Sequence, residues 1–294
     1  MIEPLQALIA LAEEGTMTRA ALRLRVAQAT VSRRIDQLEA ATTLRLIEPE
    51  GRRVRLTPEG RRLVEEGRPR LAELLALLQA PALELGAPIP LAATDSLLSS
   101  EGAALLLNTA ETWSLRAHRG PLCLDAVRSG AVALALLSAL PDEAHDLRWE
   151  ILGWEAMVVI GAPPCGPLPP LSTIEETSLS WRALLPQLPP LEATLEAPLA
   201  VSSRLGSFSA LAQLALAGGP PALVPAGVAR ALHAEARPLP GPGLWRPISL
   251  CARPRLLDAP GVRRAWEALR AGASCRSWRP TLSGEGAEAS RAPR

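Results

Sequence analysis

Five residue types able to read base-pair edges stand in one short stretch: Gln28, Ala29, Thr30, Ser32 and Arg33. A glutamine amide pairs bidentately with adenine and a guanidinium with guanine. Hydroxyls hold phosphates, and an alanine or threonine methyl meets the methyl of thymine. Arg34 adds a cation suited to the phosphate backbone. These side chains share a surface only on a helix, and the apolar spacing asks for one. Val31, Ile35 and Leu38 recur at intervals of four and three, making a buried stripe over about Gln28 to Ala40. The opposite face is Gln28, Ala29, Ser32, Arg33 and Asp36, flanked by Thr30 and Arg34. The first turns of such a helix are the part that reaches base edges.

Neighbouring elements must hold that helix against a duplex. Thr18 is placed to cap a helix over Arg19 to Leu24, with Ala20, Ala21 and Leu24 turned inward, and a turn at Arg25 to Ala27 follows. An earlier helix, about Pro4 to Glu13, carries Leu5, Leu8, Ile9 and Ala12 on one face and ends at Gly15. Leu44 to Ile47 and Val54 to Thr57 are extended runs joined across Gly51, and Arg52, Arg53 and Arg55 make that hairpin cationic. From Arg19 to Arg62 there are 11 Arg and 5 acidic residues, a local charge of +6, against +1 for the whole chain. Charge is concentrated where a phosphate-binding surface needs it. A charged outer face alone belongs to any amphipathic helix. Helix, turn, helix and basic hairpin in this order point to DNA.

At these residues the chain resembles the LysR-type transcriptional regulators. The matching stretches are Gly15-Thr16-Met17-Thr18, Ala20-Ala21, Val26 through Ser32, Gln37-Leu38-Glu39 and Arg53-Val54-Arg55-Leu56-Thr57. Three positions depart from the family pattern. Ala27 stands where a capping serine is usual, a loss of about 1 kcal/mol of local stability. Thr43-Leu44 replaces Leu-Gly, and Ile47-Glu48-Pro49 replaces Phe-x-Arg. The resemblance implies an α/β protein overall, with an N-terminal all-α winged helix-turn-helix (1–57) and a linker and dimerisation helix (58–86). A two-lobed α/β effector-binding domain of the periplasmic-binding-protein type follows at 87–279, with lobe I about 87–160 and 253–279 and lobe II about 161–252. Residues 280–294 read as a disordered tail. The implied partners are double-stranded DNA, a small-molecule effector, further copies in a homodimer or homotetramer, and RNA polymerase.

Thr57-Pro58 restarts a helix on which Val64, Gly67, Leu71, Leu74 and Leu78 keep coiled-coil spacing. We read these as a dimerisation seam ending near Pro81, because a lone reader covers only a half-site. Gly67 and Pro69 are expected to kink it. Downstream, Ile89 to Ala93, Val132 to Leu137, Trp154 to Ile160, Ala183 to Leu185, Pro198 to Val201, Ala222 to Pro225 and Ile248 to Ala252 read as strands. Cys123 to Val127, Ser207 to Leu216 and Pro260 to Arg270 read as helices, and Ser172 to Glu176 as a capping pattern. The segment from Leu97 to Cys123 looks short for a complete lobe.

In a sheet of this kind ligands sit beyond the strands' carboxyl ends, facing helix N-termini. Thr94, Asp95 and Ser96 occupy one such junction, Ser138 another, and Ser202 with Ser203 a third. The set implies a small polar or anionic effector, although Asp95 repels a carboxylate and suits an amine or amide. The same hydroxyls could simply cap helices. The alternatives are then a C-terminal domain that binds no ligand and only oligomerises or, further off, an α/β enzyme.

Composition excludes several other classes. A hydrophobic content of 48% argues against disorder. With no lysine or tyrosine and one phenylalanine, the seven tryptophans supply the large aromatic packing. No catalytic residue is expected: His118, His145 and His233 lie in no recognisable motif, and Gly218-Gly219 runs into two prolines instead of a phosphate loop. Cys123, Cys165, Cys251 and Cys275 form no C-x-x-C pair, so no metal, cofactor or disulfide is expected. The longest apolar run, Ala131 to Leu137, is too short to span a bilayer, and no secretory leader opens the chain. The expectation is a cytoplasmic regulator with no membrane partner.

Overall fold

The computed structural model describes residues 2–50, 53–84, 87–273 and 278–279, and the chain divides into two compact units, Met1–Leu77 and Leu78–Arg294. The first contains α1 (Ile2–Glu14), α2 (Met17–Leu24), α3 (Gln28–Thr42), the antiparallel pair β1 (Ile47–Glu50) and β2 (Arg53–Leu56), and most of α4 (Pro58–Glu84). Its core gathers Leu8, Leu11, Ala20, Val31, Ile35, Leu38 and Leu46, as the helical spacing requires. Gly15 ends α1 with φ +70°, a conformation that favours glycine.

Two local expectations shift. The cap of α2 is Thr16, whose Oγ1 accepts the Arg19 N–H at 3.2 Å, so Thr18 lies inside the first turn. The wing strand starts at Ile47 instead of Leu44, because Glu39 Oε1 accepts the N–H groups of Leu46 (2.6 Å) and Ile47 (3.2 Å) and pins the approach to α3. Gly51 lies outside the described residues.

Thr57 caps α4 as expected: its Oγ1 accepts the Gly60 N–H at 3.0 Å and donates to the Arg45 carbonyl at 2.7 Å. The helix runs 27 residues through Gly67, Pro69 and Pro81 to Glu84, within the expected 58–86. The seam, however, divides. Val64 and Leu71 are 7% and 8% exposed and belong to the core of the first unit. A Cβ at Gly67 would come within 3.1 Å of Leu5. Leu74, at 41% exposure, remains free for a partner, while the side chain of Leu78 lies outside the described residues.

The second unit begins with β3 (Ile89–Ala93), α5 (Asp95–Leu98), α6 (Glu101–Leu107), β4 (Trp113–Ala117), α7 (Gly120–Arg128) and β5 (Leu134–Leu137). The long β6 (Arg148–Ile160) leads to β7 (Leu171–Ile174), α8 (Leu179–Leu184), α9 (Leu188–Leu195), β8 (Val201–Leu205), α10 (Phe208–Leu216), β9 (Ala222–Pro225), α11 (Ala226–Ala231) and β10 (Ala236–Pro238). Then β11 (Trp245–Ala252) returns and α12 (Pro260–Ala273) follows. Strand order is β4-β3-β5-β11-β6-β9-β7-β8, with β10 on β6. Parallel β3, β4 and β5 form one lobe and parallel β7, β8 and β9 the other. The antiparallel pair β6 and β11 passes between them.

Several segments differ from their sequence reading. Ser172 to Glu176 opens no helix. Ser172 and Thr173 are buried in β7, and the Ser172 hydroxyl is satisfied inside the sheet, 2.7 Å from Ser203 Oγ. Ala183 to Leu185 is no strand but the end of α8, whose Trp181 and Leu184 enter the lobe core three residues apart. β4 and α6 supply the lobe that looked short. β6 starts six residues before Trp154, and β11 pairs with β5 through Ser249–Ala252, so it joins the first lobe's sheet. Val262, Trp266 and Leu269 are buried on α12 as their spacing predicts.

Candidate functional site

On α3, Gln28, Ala29 and Arg33 are exposed and Thr30, Ser32 and Arg34 half-buried, opposite the buried Val31, Ile35 and Leu38. Ala27 makes no side-chain cap, so the N–H groups of Gln28 and Ala29 stay open while that of Thr30 bonds the Ala27 carbonyl at 2.9 Å. Thr18 Oγ1 donates to Gln28 Oε1 at 3.1 Å, which fixes the amide and leaves its N–H groups directed away. Thr18 therefore positions the Gln28 amide.

The cations sort themselves by their partners. Arg34 is bound to Glu3 at 2.7 Å and Arg55 to its cross-strand neighbour Glu48 at 2.6 Å. Arg19 and Arg23 pair with Glu14 and Glu13, and Arg62 with Glu66 at 2.9 Å. A phosphate meeting Arg34 or Arg55 must displace a carboxylate. Arg25, Arg33 and Arg45 are exposed and form no ion pair with the described residues. Arg25 sits in the turn ahead of α3 with φ +55°, and Arg45 just before the wing. Neither position stands out in the sequence as a DNA contact. Arg52 and the side chain of Arg53 lie outside the described residues.

In the second unit a cavity of about 570 Å³ opens between the lobes at the carboxyl ends of the parallel strands. Thr94, Asp95 and Ser96 follow β3, His118 and Arg119 follow β4, and Ser138 follows β5. The other lobe contributes Thr177 and Ser178 after β7 and Gly206, Ser207 and Phe208 after β8. Ser202 and Ser203 do not line it. They lie within β8, which runs on to Leu205, and their hydroxyls face Ser172 at 3.4 and 2.7 Å. Ser207 stands where they were expected, capping α10 through the Ala210 N–H at 3.3 Å.

Thr94 and Ser138 have buried hydroxyl oxygens with no hydrogen-bond partner; Thr94 stands at the N-cap of α5, yet its side chain makes no capping bond. Ser96 is engaged differently: its hydroxyl accepts from Arg246 at 2.8 Å. Arg246, wholly buried, also meets Glu155 through Nε at 2.8 Å, and Glu155 Oε1 accepts the Gly227 N–H at 2.7 Å. Bonds cross the cleft as well. Arg119 pairs with Glu175, Arg182 with Glu143 at 2.8 Å, and Ser209 donates to Asp95 at 2.8 Å. Burial, and then the nearby Arg116, push the His118 imidazole below its ordinary range. The Arg119-Gly120-Pro121 step, a helix start with proline in its first turn, was the available signal for this wall.

Burial pushes the Cys123 thiol up to about 12 and raises Cys251, while Cys165 is exposed and Cys275 lies outside the described residues. Among the described residues no group of three or more His, Cys, Asp or Glu side chains could hold a metal ion. No helix there is long and apolar enough to cross a membrane.

A winged helix-turn-helix reader followed by a two-lobed ligand-binding domain defines a class of bacterial regulators. The model for the bacterial regulatory helix-turn-helix protein, lysR family, matches residues 2–61, and that for the LysR substrate binding domain matches residues 106–274. The chain belongs to the LysR family of DNA-binding transcriptional regulators with an effector-binding domain. It is 27% identical over 271 residues to an uncharacterized HTH-type transcriptional regulator of Vibrio cholerae, covering 86% of this chain and 90% of that one. A probable hydrogen peroxide-inducible genes activator of Mycobacterium xenopi is 35% identical over 178 residues, 56% of this chain and 90% of that one. Full-length OxyR from Pseudomonas aeruginosa, a cysteine-to-aspartate variant, shares the fold with TM-score 0.62 at 19% identity, over 96% of this chain and 98% of that one. CbnR solved with its target DNA aligns with TM-score 0.52 at 21% identity, over 93% and 99% of the two chains.

Proposed function

We propose that α3 enters a DNA groove with Gln28, Ala29, Thr30, Ser32 and Arg33 at base edges, while Arg25 and Arg45 hold phosphates. A small polar molecule in the interlobe cavity then biases how paired copies present these helices, a shift between pre-existing arrangements. Leu74 on α4 is the position we assign to pairing. The observation that carries the reading is an exposed helix face bearing the unpaired Arg33 in the same chain as a cavity with two unpartnered buried hydroxyls. No protein group bonds either hydroxyl, so both are available to a polar ligand in the cavity. This favours an effector domain over one that only oligomerises.

The protein on this reading is not an enzyme; it acts in the cytoplasm, at promoters, alongside RNA polymerase. Oxidants attack the thiolate, which burial disfavours at Cys123 and Cys251, so among the described residues Cys165 is the exposed thiol left for such chemistry. The test is to sequence genomic fragments retained by the purified protein. The reading expects a few promoter fragments with paired half-sites about one helical turn, or a multiple, apart. Retention of no double-stranded fragment even in dilute salt would end it.

A further inference from the structure

The cavity wall is electrically lopsided. Asp95 contributes a carboxylate, and the hydroxyls of Ser209 and Ser207 both donate to its Oδ2, at 2.8 and 3.4 Å. Its Oδ1 has no hydrogen-bond partner among the described residues. Arg119, the guanidinium on the wall, is committed to Glu175, and Arg246 beneath Ser96 is committed to Glu155. His118 is held toward its neutral form by burial and by Arg116. Asp95 is thus left without a counter-charge.

A second polar pole lies at the ends of the adjacent parallel strands β3 and β5. Ser138 is 2% exposed and its Oγ has no partner; Thr94 is half-buried, and its Oγ1 also has none. The nine-residue α7 starts on this wall without a side-chain cap, and with Pro121 lacking an N–H, the N–H groups of Gly120 and Leu122 add donors. Leu122, Ile174, Leu179 and Phe208 supply apolar surface in the same cavity.

We propose that the ligand of this cavity is a small primary amine with an apolar body and an acceptor-bearing second end, its ammonium on Asp95 Oδ1 and its acceptor at Ser138 and Thr94. This rests on the reading of the cavity as the effector site. An α-amino acid, an amino alcohol and an amino amide share the required chemistry. A simple carboxylate does not, because it meets Asp95 and finds each nearby guanidinium already paired.

The experiment is calorimetric titration of the full-length protein with matched sets built on one apolar body. One set is leucine, leucinol, leucinamide and isocaproate; the other is phenylalanine, phenylalaninol, phenylalaninamide and hydrocinnamate. At least one amine should bind saturably, with its carboxylate counterpart weaker by about tenfold or more, the scale of one charged hydrogen bond. Asp95→Asn should weaken that amine by a similar factor while DNA retention persists, and Ser138→Leu, which fills the floor, should abolish binding. Equal binding of amine and carboxylate, indifference to Asp95→Asn, or no binding by any member overturns the amine assignment. If Ser138→Leu still blocks whichever compound binds, the effector-site reading stands and only the amine falls; binding that survives Ser138→Leu removes both.

Discussion

Glu155→Gln should damage the second unit far more than its small change in shape suggests. Arg246 and Glu155 are 0% and 2% exposed and face each other in the register of β11 and β6, the strands that join the lobes. Glu155 Oε2 lies 2.8 Å from Arg246 Nε and 2.6 Å from Nη2, while Oε1 holds Gly227 on α11. An amide keeps the volume and an acceptor for Gly227, yet leaves the guanidinium buried with no counter-charge. Removing one partner of a buried pair costs about 3–5 kcal/mol. In a unit of this size each kcal/mol lowers the melting midpoint by about 2–4 °C, so a drop of about 6–20 °C is expected. All seven tryptophans lie at Trp113 or beyond, so a fluorescence melt of the full chain reports this unit alone. Adding Arg246→Met should restore much of the loss by deleting the stranded charge. A drop below about 2 °C, or a double variant no better than the single one, would refute a dry, uncompensated cation at the hinge.

Four further outcomes follow from particular side chains. Leu71→Ala should cost the first unit about 2–5 kcal/mol in urea unfolding followed by circular dichroism, since Leu71 is in its core. Leu74→Glu should leave that stability alone and shift the light-scattering mass toward monomer; an unchanged mass removes Leu74 from the interface. Iodoacetamide at pH 8 on a Cys275→Ser background should label Cys165 and spare Cys123 and Cys251 until the protein unfolds, because the buried thiols stay protonated. Fast native labelling of Cys123 would contradict this. His118 sits below its ordinary 6.5 when folded, so the unfolded chain takes up the proton first as pH falls. Its contribution is complete above pH 6.5 and shrinks as pH drops from there toward the depressed value. His118→Gln should flatten stability in that window, and an identical pH profile for both proteins would exclude His118 as its source.

What could be read from the sequence was local and periodic. The buried stripe Val31-Ile35-Leu38 defines the outer face of α3 from spacing alone, and α12 and β3 were legible for the same reason. Partnership was not legible. The positive window from Arg19 to Arg62 looks uniformly cationic, but Arg19, Arg23 and Arg34 take their carboxylates from Glu14, Glu13 and Glu3 on α1, outside the window. Hence Arg34 looked free and Arg25 unremarkable. The α4 seam misled because a spacing of three and four serves a partner helix and a helix's own domain equally, and only burial separates Leu71 from Leu74. Ser202 and Ser203 missed the cavity through a strand end misplaced by a few residues, and Ser172 and Thr173 resemble a cap until a neighbouring strand satisfies them.

The central claim, that the exposed face of α3 reads bases, is tested most directly by comparing Arg33→Ala with Arg25→Ala on the recovered operator, on single-base variants of it and on random duplex, across salt concentrations. Arg33→Ala should erase about 1–3 kcal/mol of discrimination at one base position, whereas Arg25→Ala should weaken all duplexes alike and reduce the salt slope by about 1. If Arg33→Ala weakens operator and random DNA by the same factor, that face does not read sequence.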